Sequence, residues 1–538
     1  MPTTRTLCAA CRVCYKKMKK AFLILVLFAT IEAMAAEPNI VRVFEWDSKI
    51  TTINRVDALV VAALRKKGIT PANTCSDEVF VRRVYLDVIG TLPTPDEVIS
   101  FLKDNSGGKR TRLIDELMQR DEFVDYWTLK WCDTLRVKSE FPVNLWPNAV
   151  QAYHRWIYDC VKSNVPYNEF ARELLTSSGS NFRVPAVNFY RAIQGKGDPN
   201  ATAKAVALTF MGVRIENWPK EKQVDIARFF SRVAYKNTSE WKEEIVYLDP
   251  KPVPAFKARL PDGNSIVIQP EQDPRVVFAD WLIDANNPYF ARNIVNRVWA
   301  QLLGRGIVQE PDDFRPNNPP ANPELLDYLA RQLVQSKYDL RRIYKIILNS
   351  RTYQQSSIPQ STYQQSEAMF AFYPVRRLDA EVLIDALDYI CEAGENYSSI
   401  IPEPYTFIPQ SKRTIQLADG SITSQFLQMF GRPSRDTGLF SERNNQPSDF
   451  QSLYLLNSTE MRNKLERSPL IARIQETYKG KRLEIVNNVY LTILSRYPTG
   501  DELAVCQKYF QTPGLTPKQG LDDLVWALIN SKEFLYRH

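Results

Sequence analysis

The stretch "NPELLDYLARQLV" (Asn322–Val334) decides the fold class. Asn322 can accept a hydrogen bond from the free N–H groups of a helix start, and Pro323 suits the first turn, where its missing N–H has no partner to lose. Leu325, Leu326, Leu329 and Leu333 then recur at spacings of three and four, the signature of one buried helix face. "DPRVVFADWLIDA" (Asp273–Ala285) repeats the device with Asp273 and Pro274. This spacing dominates the 538 residues and predicts a mainly α fold. Immediately upstream, Pro311–Glu324 holds five prolines and three asparagines. The end of that loop is a helix-start device, and the rest is a stiff polar connector or a binding loop.

One segment breaks the helical rhythm. Between 244 and 269, "EIVYLDP" and "NSIVIQP" alternate apolar with polar residues on either side of the turn "PDGN", which predicts a small β-insert between two helical halves. The expected division is 36–243, 244–272 and 273–538. A second irregular region, 398–420, contains "IPEPYTFIP" and "LADG" and reads as loop and short strand. An internal echo links the halves: "VYLDVIGTLPTPDE" (Val84–Glu97) and "VYLTILSRYPTGDE" (Val489–Glu502) agree at seven of fourteen positions. Each sets a Thr three residues before a Glu (Thr94 and Glu97, Thr499 and Glu502), the pattern of a capping box. "LMQRDEF" (Leu117–Phe123), "LINSKEF" (Leu528–Phe534) and "ILNSRTY" (Ile347–Tyr353) are related phrases, so recurrent helix-turn-helix units are expected.

A chain this long with 44% hydrophobic residues can bury more than one core. Its formal charge of +8 belongs mainly to the first 35 residues, where six Lys and Arg face Glu32 alone, leaving about +3 for the remainder. That balance gives no reason to expect a nucleic-acid-binding face. The leader itself has the parts of an export signal: Lys16, Lys17, Lys19 and Lys20, the apolar run Ala21–Ile31, and the small-residue site Ala33-Met34-Ala35. Residues 1–35 are therefore expected to be removed, placing the mature chain in the periplasm or outside the cell with no transmembrane helix left. Met18 followed by two lysines is itself an ordinary signal start, which makes 1–17 an expected upstream extension.

Cys8, Cys11 and Cys14 precede the signal core and would leave with it. The mature chain keeps Cys75, Cys132, Cys160, Cys391 and Cys506, an odd set whose pairing the sequence does not give; buried free thiols and one or two disulfides both fit. With only two histidines, His154 and His538, the familiar catalytic inventory of Ser-His-Asp triad, three-histidine zinc site and H-E-x-x-H helix is not expected, for want of ligands or base. No phosphate-binding glycine loop occurs.

Three polar clusters and one aromatic stretch remain. Glu310, Asp312, Asp313 and Arg315 on the proline-rich loop can hold Ca²⁺ or a sugar, with Asp312 and Asp313 as the cation ligands, or can simply cap turns and pair with one another. Arg432, Arg435, Glu442 and Arg443, in "FGRPSRDTGLFSERNNQPSDFQSLYLLN" (Phe430–Asn457), offer guanidinium forks suited to carboxylate or sulfate groups, or fasten a loop to the body. Arg377, Glu381 and Asp385 are spaced four apart, so one helix face would carry two carboxylates for acid–base work or an ordinary salt-bridged surface. Phe123, Tyr126, Trp127, Trp131, Phe141 and Trp146 can stack on sugar rings or form a core stripe.

Five phrases taken together, "RRVYLDVIGTLPTPDEV" (Arg82–Val98), "YWTLKWCDTLRVKSE" (Tyr126–Glu140), "NPYFARNIVNRVWAQLLGRGIVQEPDDFR" (Asn287–Arg315), "NPPANPELLDYLA" (Asn318–Ala330) and "ILNSRTYQQSS" (Ile347–Ser357), resemble an exported planctomycete and verrucomicrobial family. It pairs two domains of unknown function, numbered fifteen-forty-nine in the N-terminal half and fifteen-fifty-three in the C-terminal half. The resemblance implies export, and in some members an added c-type haem module or lectin-like module, with no catalytic residues defined. This chain has no C-x-x-C-H, since Arg12 follows Cys11, so no haem is expected. The expected function is a non-catalytic binding or scaffold component of an envelope or polysaccharide-processing system, its partner an acidic polysaccharide or another exported protein. The alternative is a carboxylate- or Ca-dependent enzyme acting on glycans, which requires Glu310, Asp313, Glu381 or Glu442 to converge in one concave pocket.

Overall fold

A computed structural model gives the fold and describes residues 43–538 except 49, 50, 141, 144, 398, 400, 402–405, 407 and 410. The leader expected at 1–35, Phe141 and most of "IPEPYTFIP" therefore lie outside the described residues. In chain order the longer helices are α1 (Arg55–Lys66), α2 (Asp77–Val88), α3 (Pro95–Lys103), α4 (Lys109–Leu117), α5 (Asp121–Thr134), α6 (Pro147–Lys162), α7 (Tyr167–Thr176), α8 (Pro199–Val206), α9 (Lys220–Arg228) and α10 (Pro274–Leu282). There follow α11 (Phe290–Leu303), α12 (Pro323–Gln335), α13 (Leu340–Leu348), α14 (Ala380–Cys391), α15 (Asp449–Asn457), α16 (Thr459–Glu466), α17 (Pro469–Thr477), α18 (Arg482–Leu494), α19 (Gly500–Phe510) and α20 (Pro517–Ile529). The protein is mainly α-helical with small sheets.

Local chemistry explains the helix starts. The Asn322 side chain accepts from the Leu325 N–H at 3.1 Å, and Leu325, Leu326, Leu329 and Leu333 of α12 are all buried. Both expected capping boxes form, at Thr94 before α3 and at Thr499 before α19. The two echoed units also share an ionic arrangement. Arg120 joins the capping-box Glu97 to Glu122, and Arg496 joins the capping-box Glu502 to Glu533, each pair with one contact at 2.8 Å or less. Glu122 and Glu533 hold the same place in the phrases "RDEF" and "SKEF", whereas the two arginines come from unrelated positions.

The strands differ from expectation in their partners. β3 (Glu244–Leu248) lies between β1 (Gly179–Ser180) and β2 (Val233–Asn237) in one antiparallel sheet, with Tyr235 opposite Val246. β5 (Ser265–Ile268) pairs instead with β4 (Phe256–Arg259). The Pro261-Asp262-Gly263 turn sets this: Gly263 N–H donates to Leu260 O at 2.9 Å and Leu260 N–H to Asn264 O at 2.8 Å, so the residues before Leu260 become the partner of 265–268. "EIVYLDP" and "NSIVIQP" therefore sit in separate sheets. In the irregular region expected at 398–420, the described residues include a 3₁₀ turn at Thr414–Gln416 and no strand.

The halves interlock through one continuous apolar core. Arg82 and Arg83 of α2 are buried in the C-terminal half: Arg82 donates to Ile493 O at 2.8 Å and Phe534 O at 3.0 Å, and Arg83 to Tyr353 O at 2.7 Å, Gln355 O at 2.8 Å and His538 O at 2.8 Å. All of these carbonyls except that of the half-buried His538 receive their donor where water is excluded, which makes these arginines rivets between distant segments. Residues 536–537 form β7 and pair with β6 (Arg376–Arg377). Among the described residues no helix is long and apolar enough to cross a membrane.

Candidate functional site

A dense set of buried charged groups lies where the halves meet. Helix α5 contributes Tyr126, Lys130 and Asp133, which fall on one side at spacings of four and three. Asp379 and Glu381 stand at the start of α14, Arg376 and Arg377 on β6, and Arg537 on β7; the loop 430–445 brings Arg432, Arg435, Arg443 and Asn445. The sequence placed Arg377 on one helix face with Glu381 and Asp385. The structure separates it, because β6 is held by β7 (Arg377 opposite Tyr536) and the helix begins only at Ala380. Glu381 and Asp385 do share a face of α14.

Asp379 is the hub. Its Oδ2 accepts from Lys130 Nζ at 2.8 Å, Tyr126 OH at 2.9 Å and Arg537 at 3.1 Å, and its Oδ1 from Asn445 at 2.6 Å. Arg537 also reaches Asp87 at 3.1 Å, and Asp87 accepts from Arg376 at 2.8 Å, Tyr353 OH at 2.9 Å and Tyr373 OH at 2.8 Å. Arg443 grips Glu381 with both ends of its fork, at 2.6 and 3.0 Å, and Asp133 at 2.7 Å; Arg435 binds the other Asp133 oxygen at 2.9 Å, and Arg432 approaches Glu381 at 3.4 Å. Burial alone would raise the Glu381 carboxyl, but Arg443 overcomes it and holds the group at about 2. Burial opposes ionisation of Asp379 in the same way, and Lys130, Arg537 and Arg443 together hold it well below the usual carboxylate range. A group of this kind carries no proton to give at neutral pH.

Gly431 shapes the loop that delivers Arg443. It sits at φ +81°, and a Cβ there would overlap the Asn444 carbonyl oxygen; the Asn444 N–H donates to Gly431 O at 3.0 Å. Arg377 donates to Phe430 O at 2.6 Å and Asn444 O at 3.0 Å, clamping the loop from below, and burial lowers it to about 10.

The other polar residues singled out from the sequence are dispersed. Asp385 accepts from the Thr414 N–H at 2.7 Å and the Ile415 N–H at 3.2 Å. Glu442 is a local cap, receiving the N–H groups of Asp436, Thr437 and Gly438 at 2.8, 3.3 and 3.2 Å. Asp312 is buried against Arg297 and the Phe440 N–H, Asp313 pairs with Arg315 at 3.1 Å, and Glu310 is exposed beside Gln309. Asp312 and Asp313 thus bind different arginines and do not face a shared cation position. Among the described residues no group of three or more His, Cys, Asp or Glu could hold a metal ion. The guanidinium groups of Arg432, Arg435 and Arg443, offered by the sequence to an anionic ligand, are turned inward onto carboxylates and carbonyls.

The aromatic stretch divides. Phe123, Tyr126 and Trp127 are buried, with Trp127 Nε1 donating to Val88 O at 3.2 Å. Trp131 is partly open and, with Cys160, Asn164, Phe170, Arg341 and Tyr344, lines a small cleft that opens to solvent between α5, α6, α7 and α13. All five described cysteines are free, and burial pushes Cys132, Cys160 and Cys391 up to about 12. His154 on α6 is lowered to about 3 by burial and by Arg435, so it stays neutral.

Sequence reasoning missed Asp87, Lys130, Asp133, Asp379 and Arg537. The available signal was polar residues set into an apolar stripe, as Lys130 and Asp133 are beside Trp127 and Trp131. It also missed Asp388 on α14, which burial and the nearby Glu395 push up to about 8 against the opposing Lys464.

Residues 55–234 match the family PSCyt2, described as a protein of unknown function (DUF1549), and residues 274–510 match PSD1, described as a protein of unknown function (DUF1553). No curated protein and no solved structure matches the chain. The first match ends at 234 and the second begins at 274, either side of β3, β4 and β5. With one domain in each half and the buried ionic junction between them, the chain belongs to the family that pairs these two domains of unknown function.

Proposed function

We propose that this chain is an exported, non-catalytic binding or scaffold protein of an envelope or polysaccharide-processing system. The observation that carries the reading is the state of the carboxylates at the junction. Asp133, Asp379 and Glu381 are each saturated by Arg, Lys or Tyr donors at 2.6 to 3.1 Å, and the last two are held ionised. Groups so occupied weld two halves together; general acid catalysis needs a proton near neutral pH and a substrate within reach. The rigid body they create suits display of aromatic and cationic side chains on its surface, the contacts a polysaccharide uses. Export rests on the leader sequence.

The test uses the chain from Ala36 to His538, incubated with polygalacturonate, dextran sulfate and neutral dextran. Retardation in affinity gels with no release of reducing ends is the expected result. Turnover of any of the three would overturn the non-catalytic reading, and failure to bind any of them would overturn the polysaccharide reading. N-terminal sequencing of protein recovered outside the cytoplasm is expected to begin at Ala36; retention inside with the leader intact would remove export.

A further inference from the structure

We infer that the turn between β2 and β3 carries a subsite for an anionic pyranose, built from Trp241, Trp146 and Lys242. The inference rests on the polysaccharide reading above and assigns it a place. Trp241 is 57% exposed, unusual for so large an apolar ring. Its ring centroid lies 4.9 Å from that of Trp146, with the planes at 80°, so the two form a corner. The Lys242 ammonium stands 4.7 Å from the Trp146 centroid and 5.7 Å from the Trp241 centroid, and among the described residues it pairs with no carboxylate. A sugar ring presents C–H groups to an indole face and, when it bears a uronate or sulfate, an anion to an ammonium at the rim. Trp241 supplies the exposed ring and Lys242 the charge.

The turn is fixed before any ligand arrives. Glu243 is buried and accepts from the hydroxyls of Ser180 and Thr238; Thr238 Oγ1 in turn accepts from the Glu240 N–H at 3.1 Å. Asn181 holds the far side, donating to Lys242 O at 3.3 Å and accepting from the Glu244 N–H at 2.9 Å. Lys242 and Trp146 both adopt left-handed backbone, φ +61° and +66°, a conformation that bulky side chains take only where surrounding contacts enforce it. A preset backbone lowers the ordering entropy lost on binding. Arg183 beside the turn is paired with Glu240 at 3.4 Å and Glu243 at 3.9 Å, which leaves Lys242 as the cation offered to a ligand.

The experiment measures affinity of the parent chain, Trp241→Ala and Lys242→Gln for polygalacturonate, dextran sulfate and neutral dextran, with thermal midpoints checked against the parent. Both side chains are exposed, so both variants should fold. Trp241→Ala is expected to weaken binding of the charged glycans by about tenfold, and Lys242→Gln to weaken the charged glycans selectively and flatten their salt dependence. Polygalacturonate and dextran sulfate distinguish uronate from sulfate as the preferred anion. If the parent binds charged glycans and both variants bind them equally well, the subsite is refuted while the polysaccharide reading stands. If the parent binds none, both fall.

Discussion

Replacing Glu381 by Gln removes one negative charge from the interior while keeping the shape of the side chain. Glu381 has no solvent exposure, and its carboxylate receives both ends of the Arg443 fork at 2.6 and 3.0 Å. Two independent routes give the cost. Breaking a buried ion pair by deleting one partner typically costs about 3–5 kcal/mol, because the other charge is left uncompensated. Linkage points the same way: a carboxyl held at about 2 against 4.5 in the unfolded chain stabilises the fold by roughly 3 kcal/mol at neutral pH. Because the folded value is depressed, that stability is present above the unfolded value and is lost as pH falls toward the folded one. It should shrink progressively between pH 5 and pH 3, to roughly half or less at pH 3. Urea unfolding of parent and variant at pH 7, 4 and 3 measures the difference directly. A loss below about 1 kcal/mol at pH 7, or a loss that does not shrink with acid, would refute the claim that the junction is an ionised structural weld.

Three further outcomes follow from the same geometry. Arg537→Ala leaves Asp87 and Asp379 with a buried donor missing between them and should cost about 3–5 kcal/mol, with limited proteolysis detecting release of the β6–β7 pair. Gly431→Ala places a Cβ on the Asn444 carbonyl at a left-handed φ and should cost about 3 kcal/mol or more by chemical denaturation; a neutral result would mean the loop carrying Arg443 is not held as described. Asp388 lies at about 8 in the fold, so the folded state keeps a proton that the unfolded chain loses near pH 4, and stability should fall between those values as pH rises. Asp388→Asn should remove that fall, leaving the variant more stable than the parent by on the order of 3–5 kcal/mol at pH 8 and equal to it near pH 4.

The sequence made α12, the Thr94 and Thr499 capping boxes and the mainly helical class legible because each depends on residues within one or two turns of chain. Partners from far away were not legible. Asp133 meets Arg435 and Arg443 across some 300 residues, and nothing local tells a buried carboxylate from an exposed one. The spacing of Arg377, Glu381 and Asp385 fits a helix, yet pairing of β6 with residues 536–537 removes Arg377 from it. "EIVYLDP" reads as a strand for the same reason that it is one, but its neighbour was chosen by β2 and by the closure of the Pro261 turn. The clusters containing Arg432 and Arg443 were visible as charge; their inward direction depended on carboxylates from α5 and α14.

The contact of Arg83 with His538, 455 positions later, also bears on when the protein can mature. During synthesis α2 emerges early, with Asp87 and two guanidinium groups destined for sites whose carbonyls and side chains do not yet exist. Until residues 536–538 are made, that region has no way to complete its interior, so the junction should close as one late step and the growing polypeptide should stay loosely packed until then.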